Sequence, residues 1–212
     1  MSEGKSVSAA EMKEIERIAD SRGLSYRQMM ENAGTAAFET MRKNWPEARK
    51  IVIFAGKGNN GGDGFVAARL YEAEAAEVTV ALCEGEPKTE DALYNYERIC
   101  QMDSIEITDL KSLEDSRIES CDLIVDALYG TGFHGQLRES GRSAAERMNG
   151  ASAPVCALDL PSGMNADTGE TASGAVKADL TVVFHRRKHG HDAQNAEEYC
   201  GRIVQVSIGI DE

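Results

Sequence analysis

Residues 51–70 limit the fold more than any other stretch. The apolar run Ile51-Val52-Ile53-Phe54 reads as a buried parallel strand. It stops at a glycine-rich turn, Gly56-Lys57-Gly58-Asn59-Asn60-Gly61-Gly62-Asp63-Gly64, and Phe65 to Leu70 carries on as the body of a helix. A helix entered this way leaves unpaired amides at its start, where the dipole favours negative charge. Glycines there let the backbone approach a ligand closely. Gly56, Gly58 and Gly61 stand at dinucleotide-fingerprint spacing, a weak match by itself. The Asn-Asn-Gly-Gly-Asp run inside the turn is more unusual. Its plain alternative is a tight turn in which Asn and Asp serve left-handed backbone.

The rest of the chain alternates in the same manner. Ser8-Ala9-Ala10-Glu11 fits a capping box opening a helix that Gly23 closes. A second helix is predicted over 25–43 and ends at Trp45-Pro46. Asn32 and Gly34 interrupt its apolar face: either Asn32 faces solvent, or the helix packs so closely that only glycine fits. Further strands are predicted at 78–82, 105–107, 123–128, 155–160, 180–184 and 203–206, with helices over 89–102, 110–120 and 137–149. Glu84 and Glu86 follow the second strand, loosely where an acid holds a ribose hydroxyl in dinucleotide-binding folds. This alternation predicts an α/β protein with a mostly parallel sheet.

Composition removes several classes of function. A net charge of −13 over 212 residues argues against nucleic acid as a partner. It does not forbid a small phosphate-bearing ligand held by local amides. No run of eighteen apolar residues exists, so no membrane span is expected, and residues 2–8 lack a signal pattern. Cys83, Cys100, Cys121, Cys156 and Cys200 show no zinc spacing and read as buried, reduced thiols of a cytoplasmic protein.

Three strands end in polar turns, at Phe54, at Asp126 and at Asp159. In open α/β sheets such ends meet in one crevice. It would hold Asn59, Asn60 and Asp63, Asp126 with the loop 130–136, and Asp159 with Ser162. A charge at the end of an apolar strand needs amides, a cation or a proton as partner. Two such acids suggest divided roles, one holding a cation and one moving protons, although each could simply cap its own loop. Amide, carboxylate and hydroxyl oxygens suit a hard cation.

These motifs, in this order, resemble the NAD(P)HX epimerase family, the YjeF N-terminal domain. The matching pieces are Glu31-Asn32-Ala33-Gly34, Gly58-Asn59-Asn60-Gly61-Gly62-Asp63-Gly64, Asp126-Ala127-Leu128-Tyr129-Gly130-Thr131-Gly132 and Asp159-Leu160-Pro161-Ser162-Gly163. Ala178-Asp179-Leu180-Thr181-Val182-Val183-Phe184 and the closing 201–209 also match, so the resemblance covers nearly the whole chain. It implies a three-layer Rossmann-like sandwich, a mostly parallel sheet with helices on both faces, as one domain over 1–212 and usually a homodimer. It implies interconversion of the R and S forms of hydrated NADH or NADPH, so that a separate dehydratase can restore the cofactor. No C-terminal dehydratase domain is expected here. By motif match, Asn60, Asp126 and Ser162 would bind potassium. Asn59, Asn60, Gly61, Gly62 and Asp63, with Gly130, Thr131, Gly132, Phe133, His134, Gly135 and Gln136, would hold substrate, together with Asp159, which would also be the acid/base.

In one place the chain departs from the family. Where the family often has Pro-Lys, this chain reads His185-Arg186-Arg187-Lys188-His189. Lys188 matches the family's lysine and is a secondary catalytic candidate; the alternative is a solvated basic loop. His134, His189 and His191 show no metal spacing. Two other functions compete: an NAD-dependent oxidoreductase, on the glycine spacing, and a non-catalytic binding module on the same fold.

Overall fold

The computed structural model describes residues 5–211 and alternates helix and strand along the chain. The first half runs α1 (Ala9–Ser21), α2 (Tyr26–Asn44), β1 (Lys50–Ala55), α3 (Asn59–Ala73), β2 (Glu77–Leu82), α4 (Glu90–Ile99) and β3 (Ile105–Asp109). The second half runs α5 (Asp115–Glu119), β4 (Leu123–Ala127), α6 (Glu139–Asn149), β5 (Val155–Leu158), β6 (Leu180–Phe184), α7 (Ala196–Cys200) and β7 (Arg202–Val206). The strands form one sheet in the order β3-β2-β1-β4-β5-β6-β7, and every neighbouring pair is parallel.

Both faces of the sheet are covered, which is why its strands read as unbroken apolar runs. Ile51, Ile53 and Ala55 point into a core shared with α1 to α4, while Val52 and Phe54 point into one shared with α5 and α6. Helices on both faces of a parallel sheet make the three-layer Rossmann-like architecture that the resemblance implied. Sequence order runs outward from β1 to β3 on one side and from β4 to β7 on the other. The switch point therefore lies between β1 and β4, beyond their carboxyl ends.

α3 begins at Asn59, six residues before the helix body expected from Phe65. The glycines that read as a turn are packing positions instead. A Cβ on Gly61 would stand 2.0 Å from the Gly56 carbonyl oxygen, and one on Gly64 would stand 2.7 Å from Ala127 Cβ. One on Gly62 would meet Met30 Sδ at 2.6 Å. Each glycine in a helix costs about 1 kcal/mol relative to alanine. That cost is outweighed because the first turns of α3 sink between the sheet, α2 and α4, leaving Asn60 to Ala68 buried.

α2 packs on α3 just as closely. A Cβ on Gly34 would lie 2.4 Å from Val66 Cβ and 2.7 Å from the Asp63 carbonyl oxygen. Asn32 does not face solvent; its Nδ2 donates to the Ile208 carbonyl at 2.8 Å and ties the last residues to α2. Two other expectations shorten. The helix over 110–120 contracts to α5, because Leu110 and Leu113 pack beneath the sheet as loop residues. β5 stops at Leu158, because Asp159 adopts φ +63°. Among the cysteines, Cys83, Cys156 and Cys200 are buried, Cys121 is half-buried and Cys100, capping α4, is exposed.

Gly34→Ala should destabilise the fold by about 1–3 kcal/mol through overpacking against Val66. Urea unfolding checks this; a midpoint equal to that of the parent would show that α2 can shift freely off α3.

Candidate active site

A cavity of about 550 Å³ opens over the switch point, within the usual range for small-molecule sites. Its walls come from the start of α3, the loop after β4, the end of β5 and the side of α1. Of the residues expected to hold substrate, Asn59, Asn60, Asp63, Gly130, Thr131, Gly132, Phe133, His134, Gln136 and Asp159 line it. Gly61, Gly62 and Gly135 do not. Gly61 and Gly62 are occupied by helix packing, although Gly61 remains one of the N-terminal residues whose amides no preceding turn accepts. Gly135 turns the loop at φ +80°.

Asp159 is placed by the backbone as much as by its side chain. At φ +63° it occupies the left-handed region, which Asp tolerates better than most residues. The kink lifts its carboxyl out of the sheet and into the cavity wall. Oδ1 accepts from the Phe184 amide at 3.1 Å and from the Lys188 ammonium at 2.5 Å. Oδ2 has no hydrogen bond among the described residues. Lys188 is 1% exposed and also donates to the Phe184 carbonyl at 3.1 Å. The solvated-loop alternative therefore does not apply to Lys188.

His191, to which the sequence assigned no role, supports this pair. Its Nε2 stands 2.8 Å from the Asp159 carbonyl, and its Nδ1 accepts from the Lys188 amide at 2.9 Å. A carbonyl can only accept and an amide N–H can only donate, so the ring is neutral with its proton on Nε2. Burial, the largest influence, lowers the His191 pKa in the same direction. The only sequence signal was its place three residues after Lys188.

Asp126 meets a different environment. It is fully buried beneath the cavity, and no cationic side chain pairs with it among the described residues. Ser162 donates to it twice, from the amide at 2.7 Å and from Oγ at 2.6 Å, and the Leu128 amide adds a third bond at 3.2 Å. Burial pushes its pKa up to about 6, against the opposing pull of these donors. Ser162 Oγ in turn accepts from the Tyr129 amide at 2.8 Å, which joins the loops after β4 and β5. Asn60 approaches the adjoining Gly130, and its buried Nδ2 lacks a partner. The Asp126 carboxylate, the Ser162 hydroxyl and the Asn60 side-chain carbonyl are oxygen donors of the kind that suits a hard cation.

Two cations also face the cavity. Lys57 pairs with Glu84 at 3.4 Å, and Arg138 lines the wall. Glu84, read loosely as a ribose ligand, already accepts from the Tyr129 hydroxyl at 2.9 Å. The first amides of α3 lack helical acceptors and share the cavity wall with Lys57 and Arg138, groups whose chemistry suits an anion, while Asp159, backed by the buried Lys188, is a group able to exchange a proton.

Residues 26–190 match the family described as YjeF-related protein N-terminus. A relative from Cenarchaeum symbiosum named NAD(P)H-hydrate epimerase is 39% identical over 96% of this chain and 95% of its own. One of the same name from Nitrosopumilus maritimus is 36% identical over 96% of this chain and 95% of its own. A bifunctional NAD(P)H-hydrate repair enzyme from Pyrobaculum aerophilum is 40% identical over 97% of this chain but only 42% of its own length. The chain spans about two fifths of such bifunctional relatives. The crystal structure of the yeast protein YNL200c (ynu0) superposes with a TM-score of 0.81 at 21% identity, covering 96% of this chain and 88% of that one, which shows the fold.

Lys188→Met should cost about 3–5 kcal/mol by stranding the buried Asp159 carboxylate. The double variant with Asp159→Asn should cost clearly less than the sum of the two single changes. Denaturant titration of all four proteins measures the coupling, and additive costs would show that the pair is not coupled.

Proposed function

The chain belongs to the family of YjeF-related protein N-termini, and from that premise we propose that it is an NAD(P)H-hydrate epimerase, interconverting the R and S forms of hydrated NADH or NADPH. The observation that carries the reading is the Asp159 carboxyl, clamped through Oδ1 by Lys188 and Phe184 while Oδ2 is left for the cavity. The relatives named epimerases that match this chain along nearly their whole length support the same reaction.

The chemistry suits the geometry. C6 of the hydrated ring is a carbinolamine, bonded to both nitrogen and hydroxyl. Inverting it needs reversible loss of the hydroxyl or reversible ring opening, with return from the other face. Both routes need a positioned proton donor and acceptor and no redox step. Asp159 exchanges the proton through Oδ2, and Lys188 fixes the carboxyl and balances its charge. The α3 amides, with Lys57 and Arg138, hold the phosphates, and the glycine-bearing loop 130–136 closes over the ring.

Potassium would rest on Asn60, Asp126 and Ser162. When bound it supplies a fixed positive charge for Asp126 and stiffens the junction of the loops after β4 and β5. A homodimer, and a separate dehydratase consuming the S epimer, complete the reading that the resemblance carries.

Two experiments test it. Purified R-NADHX, followed by chromatography against the spontaneous rate, should convert well above blank. Asp159→Asn should lower that rate by about 10²–10⁴-fold, the usual weight of a positioned acid/base. A folded protein with no conversion would move the reading to a binding module. For potassium, the melting temperature should be higher in potassium chloride than in tetramethylammonium chloride at matched ionic strength, since a ligand bound only by the native state stabilises it. Equal melting temperatures would remove the cation from the site.

A further inference from the structure

One carboxylate in the cavity wall has no place in the scheme so far. Glu16 is the α1 residue that lines the cavity among the described residues, and it makes no hydrogen bond or ion pair there. Its position is firmly set. Met12 and Ala19 bury the inner face of α1, and the Ala9 amide donates to Asp167 Oδ1 at 2.6 Å. The strand-like segment before α1 pairs with the lysine loop itself. The Val7 amide donates to the Arg187 carbonyl at 2.9 Å, and the His189 amide donates to the Val7 carbonyl at 3.0 Å.

The surroundings of Glu16 are short of positive charge. Asp159 acts on it from the end of β5 and Asp63 from α3, while Tyr26 lines the same cavity from the start of α2 and Lys13 lies on α1 itself. Lys188 also faces it, but that ammonium is already bonded to Asp159. Asp63 is 8% exposed, lines the cavity and has no hydrogen-bond partner among the described residues. Three carboxyls therefore share one buried ammonium, and they cannot all be ionised without a large penalty. Burial first, then Asp159, raises the Glu16 pKa; burial, then Asp159 and Glu16, holds Asp63 well above the usual carboxylate range.

Epimerisation by hydroxyl loss has a symmetric demand. The hydroxyl leaves one face as water and needs a proton. Water returns to the other face and gives one up. Asp159, whose Oδ1 is held by the Phe184 amide and the Lys188 ammonium, has one fixed orientation and serves one face. We propose that Glu16 is a second catalytic acid/base of this site, serving the opposite face of the substrate ring.

This rests on the epimerase reading. In one direction the Glu16 proton goes to the departing oxygen as the C6–O bond breaks, with its electron pair leaving as part of water. The ring nitrogen lone pair fills the vacated position. Water then adds to C6 from the other face and gives its proton to Asp159. In the other direction the two carboxyls exchange roles, and solvent resets their protons between turnovers.

The test uses Glu16→Gln and Glu16→Asp, each checked by thermal melting, in the R-NADHX assay. Glu16→Gln should lower kcat by about 10²–10⁴-fold, with KM within a few-fold of the parent. One limb of the kcat–pH profile should be lost or displaced, the alkaline limb if Glu16 is the acid toward the R form and the acidic limb if it is the base. Glu16→Asp should recover part of the rate. A folded Glu16→Gln variant with parental kcat, or with reduced kcat and an unchanged pH profile, overturns the assignment while leaving the epimerase reading intact. A wild-type protein that converts no R-NADHX overturns both.

Discussion

Backbone contact between Gly61 and the Gly56 carbonyl sets the depth at which α3 enters the molecule, and the rest of the site is built on that depth. With any side chain at Gly61, α3 would have to ride higher on the sheet. Its free amides would then stand away from the switch point between β1 and β4. Gly64 against Ala127, and Gly34 against Val66, extend the same constraint to β4 and α2. The glycines are thus less a flexible loop than a machined seat, in which lost helix propensity is offset by close packing.

Two aspartates at strand ends face the same desolvation problem and meet it differently. Asp159 has a full cationic partner in Lys188, supported by a neutral His191 that bonds both the aspartate carbonyl and the lysine amide. Asp126 has only neutral donors, from Ser162 and Leu128, and its pKa rises to about 6. The contrast separates a carboxyl held rigidly beside a cavity from a buried one whose charge no side chain balances among the described residues. Each arrangement spans two neighbouring strands, β4 and β5 for Asp126 and β5 and β6 for Asp159, so the end of β5 is common to both.

Much of this was legible in the sequence, because hydrophobic period reports burial directly. Unbroken runs such as residues 51–54 and 123–125 marked strands covered on both sides, and the capping box at Ser8 and Glu11 marked the start of α1. What was not legible depends on tertiary contact. Glycine carries the same local signal whether it forms a turn or seats a helix, so the start of α3 was misplaced by six residues. Asp126 and Ser162 read as crevice residues but lie beneath its floor. His191 gave no signal beyond its spacing from Lys188, because its value lies in hydrogen bonds to a carbonyl and an amide, groups nearly every residue possesses. Glu16 sat among many exposed acids of a strongly acidic chain, and only the fold separates it from them.

The pairing of the segment before α1 with the loop that carries Lys188 has a consequence for how the molecule comes into being. Ser6 and His189, which hydrogen-bond at this junction, are 183 residues apart in sequence. A contact of that range closes a very long loop, so its entropy cost falls on a late event in folding. A chain emerging from the ribosome can lay down β1 to β4 and seat α3 while the segment that frames its lysine is still waiting for a partner. The sheet order runs outward from β1 and β4, whereas the loop that carries Lys188 is framed only when residues 6–7 meet residues 187–189. An incomplete chain can thus hold much of the architecture and remain chemically silent.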